Sequence, residues 1–578
     1  MTKSITLMLG GTQGEGIVST GNILIRALSR AGYYTYGCRT FSSRIKGGHT
    51  NYRIDIHTDK IFSTKDQLDI LVAFDQDSIE LNYANLKKNG LLIYDDIITV
   101  KDLISDASQE DIHIFSAPLT GIAKKYGSTL MKNSATVGLL GKLLQLPISY
   151  LEEIICTIFK KKGTEIIEKN LSILKEAYAV HLGNASKFTA YHLPNIAHSR
   201  NRASMLGNEA IALGALAAGC RFMSAYPITP ASEIMEYLTK KFPSYGGAMV
   251  QTEDEISAVT MAIGASYAGC RSMTATSGPG ISLMMEGIGL AGMGEIPLVI
   301  VDVQRGGPST GLPTKHEQSD IHSLYYGPHG EISSIILAPY TVEECFYQTI
   351  KAFHFADQYQ CPVFILSDLM LGLSRQTIDD LDKSTILIDR GAMTSDHDLN
   401  GIKEAFFKRF RFTEQGISPR SIPGQPFGIH HVTGIEHVEE GKPSEESVNR
   451  KRMMDKRLNK VASLKAKDGI ALFGTLDSPF LILTIGSNYG LTKRAIEEHQ
   501  YPVAYGVFQR IKPFPETQMK RLVEKYDKIL VIENNATAQL ASIIKQEAGC
   551  HHKIFSLLKY DGNPFTLKEI KSSIEELI

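Results

Sequence analysis

Apolar runs of strand length recur through the first third of the chain, at residues 5–9, 52–56, 70–73 and 91–94. Stretches with helical spacing of apolar positions lie among them, at 16–28 and 137–144. Strands alternating with helices predict a doubly wound α/β domain. The pattern lapses over 189–203, which reads as a linker, and resumes from Gly207. The resumed rhythm predicts helices at 210–218, 232–239, 255–267, 282–291 and 342–358. It predicts strands at 222–225, 249–251, 271–275, 298–303 and 363–366. Residues 395–465 break it again with charge, Gly, Pro and His, then a basic helix near 449–464, and read as a connector. A third α/β unit begins at 480–485 and takes in 504–508 and 529–532. The expectation is an α/β chain of three doubly wound domains.

Composition narrows the class without changing that picture. With 578 residues the chain is too long for one core, and 61 basic against 62 acidic residues give no field to attract nucleic acid or an anionic membrane. No apolar run approaches the roughly 20 residues that span a bilayer. The opening MTKSITLMLGGTQGEG runs from a short apolar strand into a glycine-rich turn, which suits a first βα unit better than a signal peptide. A soluble cytoplasmic enzyme is expected. The seven cysteines are scattered with no C-x-x-C pair, so this chain is expected to ligate neither an iron–sulfur cluster nor a structural metal.

Gly10-Gly11-Thr12-Gln13-Gly14-Glu15-Gly16 stands between a predicted strand and helix. Backbone N–H groups and the positive helix end there suit a phosphate or carboxylate, with Gly11, Gln13 and Gly14 as candidate contacts. A purely structural turn is the alternative. Dinucleotide binding fits poorly, since Ser19 stands where G-x-G-x-x-G needs glycine. A second polar cluster at 42–49 adds Arg44 and Lys46 as anion candidates, against a reading as a solvated loop.

Three further segments each follow a predicted parallel strand, where open α/β sheets bind ligands. In Tyr226-Pro227-Ile228-Thr229-Pro230, two prolines fix the backbone around a hydroxyl donor, although a strand-to-helix turn explains it equally. In Gln251-Thr252-Glu253-Asp254-Glu255, acids open a helix whose Ala258 and Ala262 follow Glu255 at i+3 and i+7. Complementing the helix dipole would account for one of those acids. Thr276-Ser277-Gly278-Pro279-Gly280 permits close backbone approach to a flat ligand, and Arg305, after a buried strand, is placed to grip a carboxylate. The alternative for Arg305 is a surface salt bridge.

Taken together, these motifs carry a resemblance over nearly the whole chain. YPITP at 226–230, EDEISA at 253–258, TSGPG at 276–280 and RGGPSTGLPT at 305–314 resemble the alpha subunit of 2-oxoacid:ferredoxin oxidoreductases. KPFP at 512–515 and ENNATAQL at 533–540 resemble its transketolase-C-terminal-like unit, and the opening residues resemble the gamma subunit. The resemblance implies a fused gamma–alpha chain with a gamma-like domain at 1–190 and a pyrimidine-binding domain at 201–385. A connector at 386–470 and a transketolase-C-terminal-like domain at 471–578 complete it.

In thiamine enzymes a glutamate nine positions before a glycine bonds the aminopyrimidine ring and promotes the tautomer that activates the thiazolium. That spacing selects Glu255, before Gly264, over Glu253. The resemblance further implies that Ser277, Gly278, Pro279 and Gly280 hold the cofactor and that Thr229 and Arg305 contact the 2-oxoacid. Leu9 and Thr12 depart from the family's G-x-G-G-Q-G, which bears on the coenzyme A contact assigned to Gly11, Gln13, Gly14, Arg44 and Lys46.

The Gly-Asp-Gly diphosphate motif of thiamine enzymes is missing; its nearest match is Asp561-Gly562-Asn563, close to the C-terminus. A beta subunit is therefore expected to supply Mg²⁺, the diphosphate site and a [4Fe–4S] cluster in a hetero-oligomer. The implied reaction is oxidative decarboxylation of a 2-oxoacid with coenzyme A, giving acyl-CoA, CO₂ and reduced ferredoxin or flavodoxin. The fused arrangement favours 2-oxoglutarate, with pyruvate or a branched-chain oxoacid as alternatives. A non-oxidative thiamine-dependent decarboxylase subunit and a catalytically dead interaction subunit are the rival functions.

Overall fold

The apolar run that opens the chain becomes Ser4–Thr12, a central strand of an eight-stranded sheet in the computed structural model. The structure describes residues 4–41, 48–100, 112–182, 185–196, 202–384, 386–400 and 405–578. On one side of that strand, Leu68–Ala73, Leu86–Asp95 and Ile112–Ala117 follow in parallel, as the strand–helix alternation predicts. On the other side His49–His57 runs antiparallel to it, and Tyr34–Phe41 in turn antiparallel to His49–His57. Helix Ile17–Arg30 turns Ile23, Leu24, Ala27 and Leu28 into the core beside this sheet, where each is shielded from water.

Two four-residue strands from much later in the chain complete the sheet, Arg375–Ile378 antiparallel to Tyr34–Phe41 and Ala203–Leu206 antiparallel to Arg375–Ile378. Thr377 fastens them: its hydroxyl accepts from the Thr35 N–H at 3.0 Å and lies 2.7 Å from both the Thr35 and Ser29 hydroxyls. The compact unit containing this sheet thus comprises Met1–Leu206, Leu373–Leu381 and Thr566–Lys568.

The second unit comprises Gly207–Gly372, Asp382–Phe565 and Glu569–Ile578 and holds two sheets. In the seven-stranded one, Ile335–Leu337, Pro362–Asp368, Leu298–Gln304, Ser272–Thr276, Phe222–Ala225 and Ala248–Gln251 are parallel neighbours. The five-stranded sheet places Phe480–Ile485 between Ala504–Phe508 and Lys528–Glu533, all parallel. Strand Arg510–Lys512, which runs into the KPFP motif, pairs with Ile335–Leu337 of the seven-stranded sheet. Residues from both sheets meet in one core, Ile300 and Phe364 with Leu483, Phe508 and Phe514 among them.

Gln318 joins the sheets by hydrogen bonding as well. Its amide donates to Asp368 Oδ2 at 2.9 Å and to the Ile485 carbonyl at 3.1 Å, and its amide oxygen accepts from Asn488 and from the Asn534 N–H. A fully satisfied buried amide of this kind fixes one arrangement of the elements it touches.

Residues 386–470 contain the helix Ser447–Asn459 and lock into the unit through buried charges. Asp357 receives three guanidinium groups, from Arg271 at 2.8 Å, Arg390 at 2.9 Å and Arg420 at 3.0 Å. Glu295, fully buried, receives Lys456 at 2.6 Å and Lys460 at 2.9 Å. Burial alone would raise the Glu295 carboxyl, but Lys460, Lys456 and Arg409 together hold it well below the usual carboxylate range. Such a depressed group stabilises the fold above its unfolded pKa, and that stability is lost only as pH falls toward the depressed value. Glu295→Gln should therefore destabilise the chain by about 3–5 kcal/mol, because it strands buried cations without a counter-charge. Denaturant unfolding at neutral pH checks this.

Candidate active site

Parallel pairing sets the ends of Phe222–Ala225, Ala248–Gln251, Ser272–Thr276 and Leu298–Gln304 side by side, so the segments after them converge. After the second strand, Asp254 caps helix Glu255–Tyr267 by accepting from the Ser257 N–H at 2.7 Å. The cap leaves the first-turn acid free to point elsewhere. Glu255 turns inward and is 6% exposed, whereas Glu253 is exposed. Ala258 and Ala262 on the same helix are fully buried, and their carbonyls accept from Ser224 and Ser272, each at 2.6 Å. Gly264 lies on the opposite, open face, where an added Cβ would meet nothing within 4 Å.

Two glycines make room for carboxylates at the entry of the next helix, Gly278–Met293. A Cβ on Gly280 would stand 2.0 Å from Thr276 Oγ1, 2.7 Å from Glu255 Cγ and 2.8 Å from Glu255 Oε1. A Cβ on Gly278 would stand 2.4 Å from Asp320 Oδ1. Pro279, in the first turn, starts the helix without requiring an N–H partner. Ser277, at the N-cap, keeps a buried hydroxyl that has no hydrogen-bond partner among the described residues. The TSGPG segment thus brings backbone, an unused hydroxyl and Glu255 close together.

Arg305 leaves the end of strand Leu298–Gln304 as a buried side chain. Its Nη1 donates to the Thr229 carbonyl at 2.7 Å, so the structure ties Arg305 to the backbone of Thr229 and leaves the threonine hydroxyl uncommitted to it. No carboxylate lies within the 4.0 Å of an ion pair with Arg305 among the described residues, and its Nε has no partner there. Burial works against the guanidinium charge, while Asp320 and then Glu255 favour it from a distance. Arg305 borders an open cavity of about 790 Å³ that Gly278, Pro279, Ser309, Thr310, Asp320, Asn535, Thr537 and Tyr560 also line. The ENNATAQL segment reaches this cavity because Glu533 accepts from the Leu540 and Ala541 N–H groups at 2.8 and 3.0 Å, folding the loop back on itself.

Several lining residues carried no signal in the sequence. Asp320 is a single acid, brought by the fold near the buried Asp302 of the neighbouring strand, which does not itself line the cavity; Tyr560 follows an unremarkable strand. Asp561-Gly562-Asn563, the nearest match to a diphosphate motif, instead pins the loop after Arg305, with the Gly562 carbonyl accepting from the His316 N–H at 3.0 Å. In the first unit, Gly11 is the last residue but one of the opening strand and Gly14 stands in open space. The Gln13 N–H donates to Gly48 at 2.8 Å, while its buried side-chain oxygen has no partner among the described residues. Arg44 and Lys46 lie outside the described residues.

Comparison with known proteins bears on the family. A family model described as pyruvate flavodoxin/ferredoxin oxidoreductase, thiamine diphosphate-binding, matches residues 213–456. A second, pyruvate ferredoxin/flavodoxin oxidoreductase, matches residues 6–180. The chain is 34% identical to the 2-oxoacid:ferredoxin oxidoreductase subunit alpha of a Sulfolobus species, over 99% of this chain and 97% of that one. It is 37% identical to the 2-oxoglutarate synthase subunit KorA of Methanothermobacter thermautotrophicus, over 59% of this chain and 90% of that one. Among solved structures it is similar to the 2-oxoglutarate:ferredoxin oxidoreductase from Magnetococcus marinus, determined with 2-oxoglutarate, coenzyme A and succinyl-CoA bound. That match has a TM-score of 0.89 at 33% identity and covers 100% of both chains.

Proposed function

Because this chain belongs to the 2-oxoacid:ferredoxin oxidoreductases, as an alpha subunit, we propose that its cavity is the oxoacid side of a thiamine-dependent site completed by a beta subunit. The reaction is oxidative decarboxylation with coenzyme A to an acyl-CoA and CO₂, with electrons passing to ferredoxin or flavodoxin. The carrying observation is the buried Glu255 packed against Gly280, beside a cavity headed by an Arg305 that has no ion-paired carboxylate among the described residues.

The residues present fit the aminopyrimidine half of the cofactor. Glu255 would bond the ring, and Ser277, Gly278, Pro279 and Gly280 would lie against it, the unused Ser277 hydroxyl supplying a further polar contact. When bound, thiamine diphosphate supplies the electron sink for loss of CO₂. Arg305 binds and orients the oxoacid carboxylate, and the Thr229 hydroxyl adds one hydrogen bond. The buried setting of Arg305 strengthens its contact by excluding water, whereas Thr229 is half-buried.

The preferred substrate is 2-oxoglutarate. The similar proteins named for it support this, and the cavity of about 790 Å³ has room for a chain of that length beyond Arg305. The beta subunit carries Mg²⁺ and a [4Fe–4S] cluster. The first unit contacts coenzyme A near Gly11, Gln13 and Gly14. Seven free cysteines and no described helix long and apolar enough to cross a membrane support action in the cytoplasm.

Arg305→Ala should raise KM for the oxoacid strongly, since losing a buried charge-assisted contact costs about 2–5 kcal/mol. Thr229→Ala should cost less, about 0.5–1.5 kcal/mol, as one neutral hydrogen bond does. Normal oxoacid kinetics in both variants, with impaired coenzyme A dependence, would place the oxoacid elsewhere.

A further inference from the structure

The cavity contains a carboxyl that the proposed mechanism leaves idle. Asp320 lines it with Arg305, and its Oδ2 is shielded from water without a hydrogen-bond partner among the described residues. Its place is built for it, since Gly278 lacks the Cβ that would collide with Oδ1. Its own N–H donates to Gln304 Oε1 at 3.2 Å, which fixes the backbone under the side chain.

The charges around it come from several elements. Strand Leu298–Gln304 contributes Asp302, fully buried with both oxygens unpartnered among the described residues, and Arg305 follows it. The loop of Asp320 itself adds Glu317, and the amino end of helix Gly278–Met293 presents its positive pole. Glu255 acts on the same guanidinium from helix Glu255–Tyr267. Across the cavity Asn535, Thr537 and Gln539 are uncharged, and Tyr560 brings a phenol. His322, next in the following helix, is tied to Ser542 Oγ at 2.7 Å. Carboxyls therefore outnumber the one guanidinium here, and an anionic substrate adds to the excess.

We propose that Asp320 is the proton-linked counter-charge to the substrate: ionised, it offsets Arg305 in the empty cavity, and it takes up a proton from solvent when the oxoacid carboxylate docks on Arg305. The proton returns to solvent when the carboxylate has left as CO₂ and the product departs. Burial, and then the Glu317 carboxylate, push the Asp320 carboxyl up to about 7, with Arg305 opposing them, so the exchange falls in the working range. Because Asp320 titrates upward in the complex, binding is favoured at low pH and weakens as pH rises through the pKa of the free site. This inference rests on Arg305 being the oxoacid ligand.

The test uses the complete enzyme with all subunits and saturating coenzyme A. KM for 2-oxoglutarate should be flat below about pH 7 and rise about tenfold per pH unit above it, one proton being taken up per substrate bound. Asp320→Asn, an uncharged isostere, should abolish the slope and hold KM near the low-pH wild-type value. Asp320→Glu should keep a slope. A slope retained by Asp320→Asn assigns the proton to another group and overturns the proposal. A flat wild-type KM between about pH 7 and 9 overturns it whether or not the variant folds. Arg305→Ala separates the two levels. An unchanged KM in that variant removes the underlying reading, whereas a raised KM beside a retained slope in Asp320→Asn removes only the proton linkage.

Discussion

Replacing Glu255 by glutamine is expected to leave the fold intact and lower turnover by about 10²–10⁴-fold, the range that a positioned acid–base group contributes. Glutamine matches glutamate in volume, so the packing against Gly280 and Thr276 survives. The helix cap is untouched, because the Ser257 N–H is held by Asp254. What changes is the charge opposite the proposed aminopyrimidine ring, since an amide cannot accept and return a proton there. Hydrogen–deuterium exchange at C2 of the bound cofactor reads that step directly. Glu253→Gln is the matched control, because that side chain is exposed and outside the packed cluster. Near-normal exchange in Glu255→Gln, with Glu253→Gln impaired instead, would reverse the assignment.

The second large effect is that the chain alone should be inactive. On the function proposed above, the ligands of Mg²⁺ and of a cluster come from the partner. The helices around Glu255 also present apolar surface to solvent: Ile256 and Leu283 are each 51% exposed, and Met261 and the open Gly264 share the outer face with Ile256. Apolar side chains clustered beside a half-built site suit a subunit interface. Purified alone, the chain should show no cluster absorbance, weak thiamine diphosphate binding and no oxoacid-dependent dye reduction. Adding the beta subunit should restore all three. Full turnover by this chain with only cofactor, Mg²⁺ and coenzyme A would refute a divided site.

How much of this was legible beforehand differs by element. Strands such as Phe222–Ala225 and Leu298–Gln304 were readable because a buried parallel strand is a short unbroken apolar run. The turns after them were readable because proline and glycine restrict or free the backbone locally. The antiparallel half of the first sheet was not, since an apolar run does not state the direction of its neighbour. Arg375–Ile378 and Ala203–Leu206 are too short for periodicity to register, and the second falls at the end of a stretch that looks like linker. Thr229 and Arg305 stood out in motifs, but the link between them runs through the Thr229 carbonyl, which no side-chain reading anticipates. Asp302, Gln318 and Asp320 are ordinary polar letters whose meaning arises when strand ends and loops meet. The 386–470 segment reads as a connector for the same reason, although its Arg409, Arg420, Lys456 and Lys460 are buried.

The first unit draws two of its eight strands from residues 203–206 and 375–378 and includes residues 566–568. Ribosomal synthesis delivers these pieces in order, so the unit cannot be finished when its first two hundred residues emerge. Until Thr377 arrives, Tyr34–Phe41 is an edge strand with unpaired backbone groups, and the Thr35 N–H lacks its acceptor. Nascent chains in that state need shielding from one another, since open edges recruit further strands. Cutting the gene after residue 190 would make that transient exposure permanent. A truncated first domain should aggregate where the whole polypeptide does not, and supplying the 375–378 strand on a separate peptide would have to overcome the entropy that covalent linkage removes.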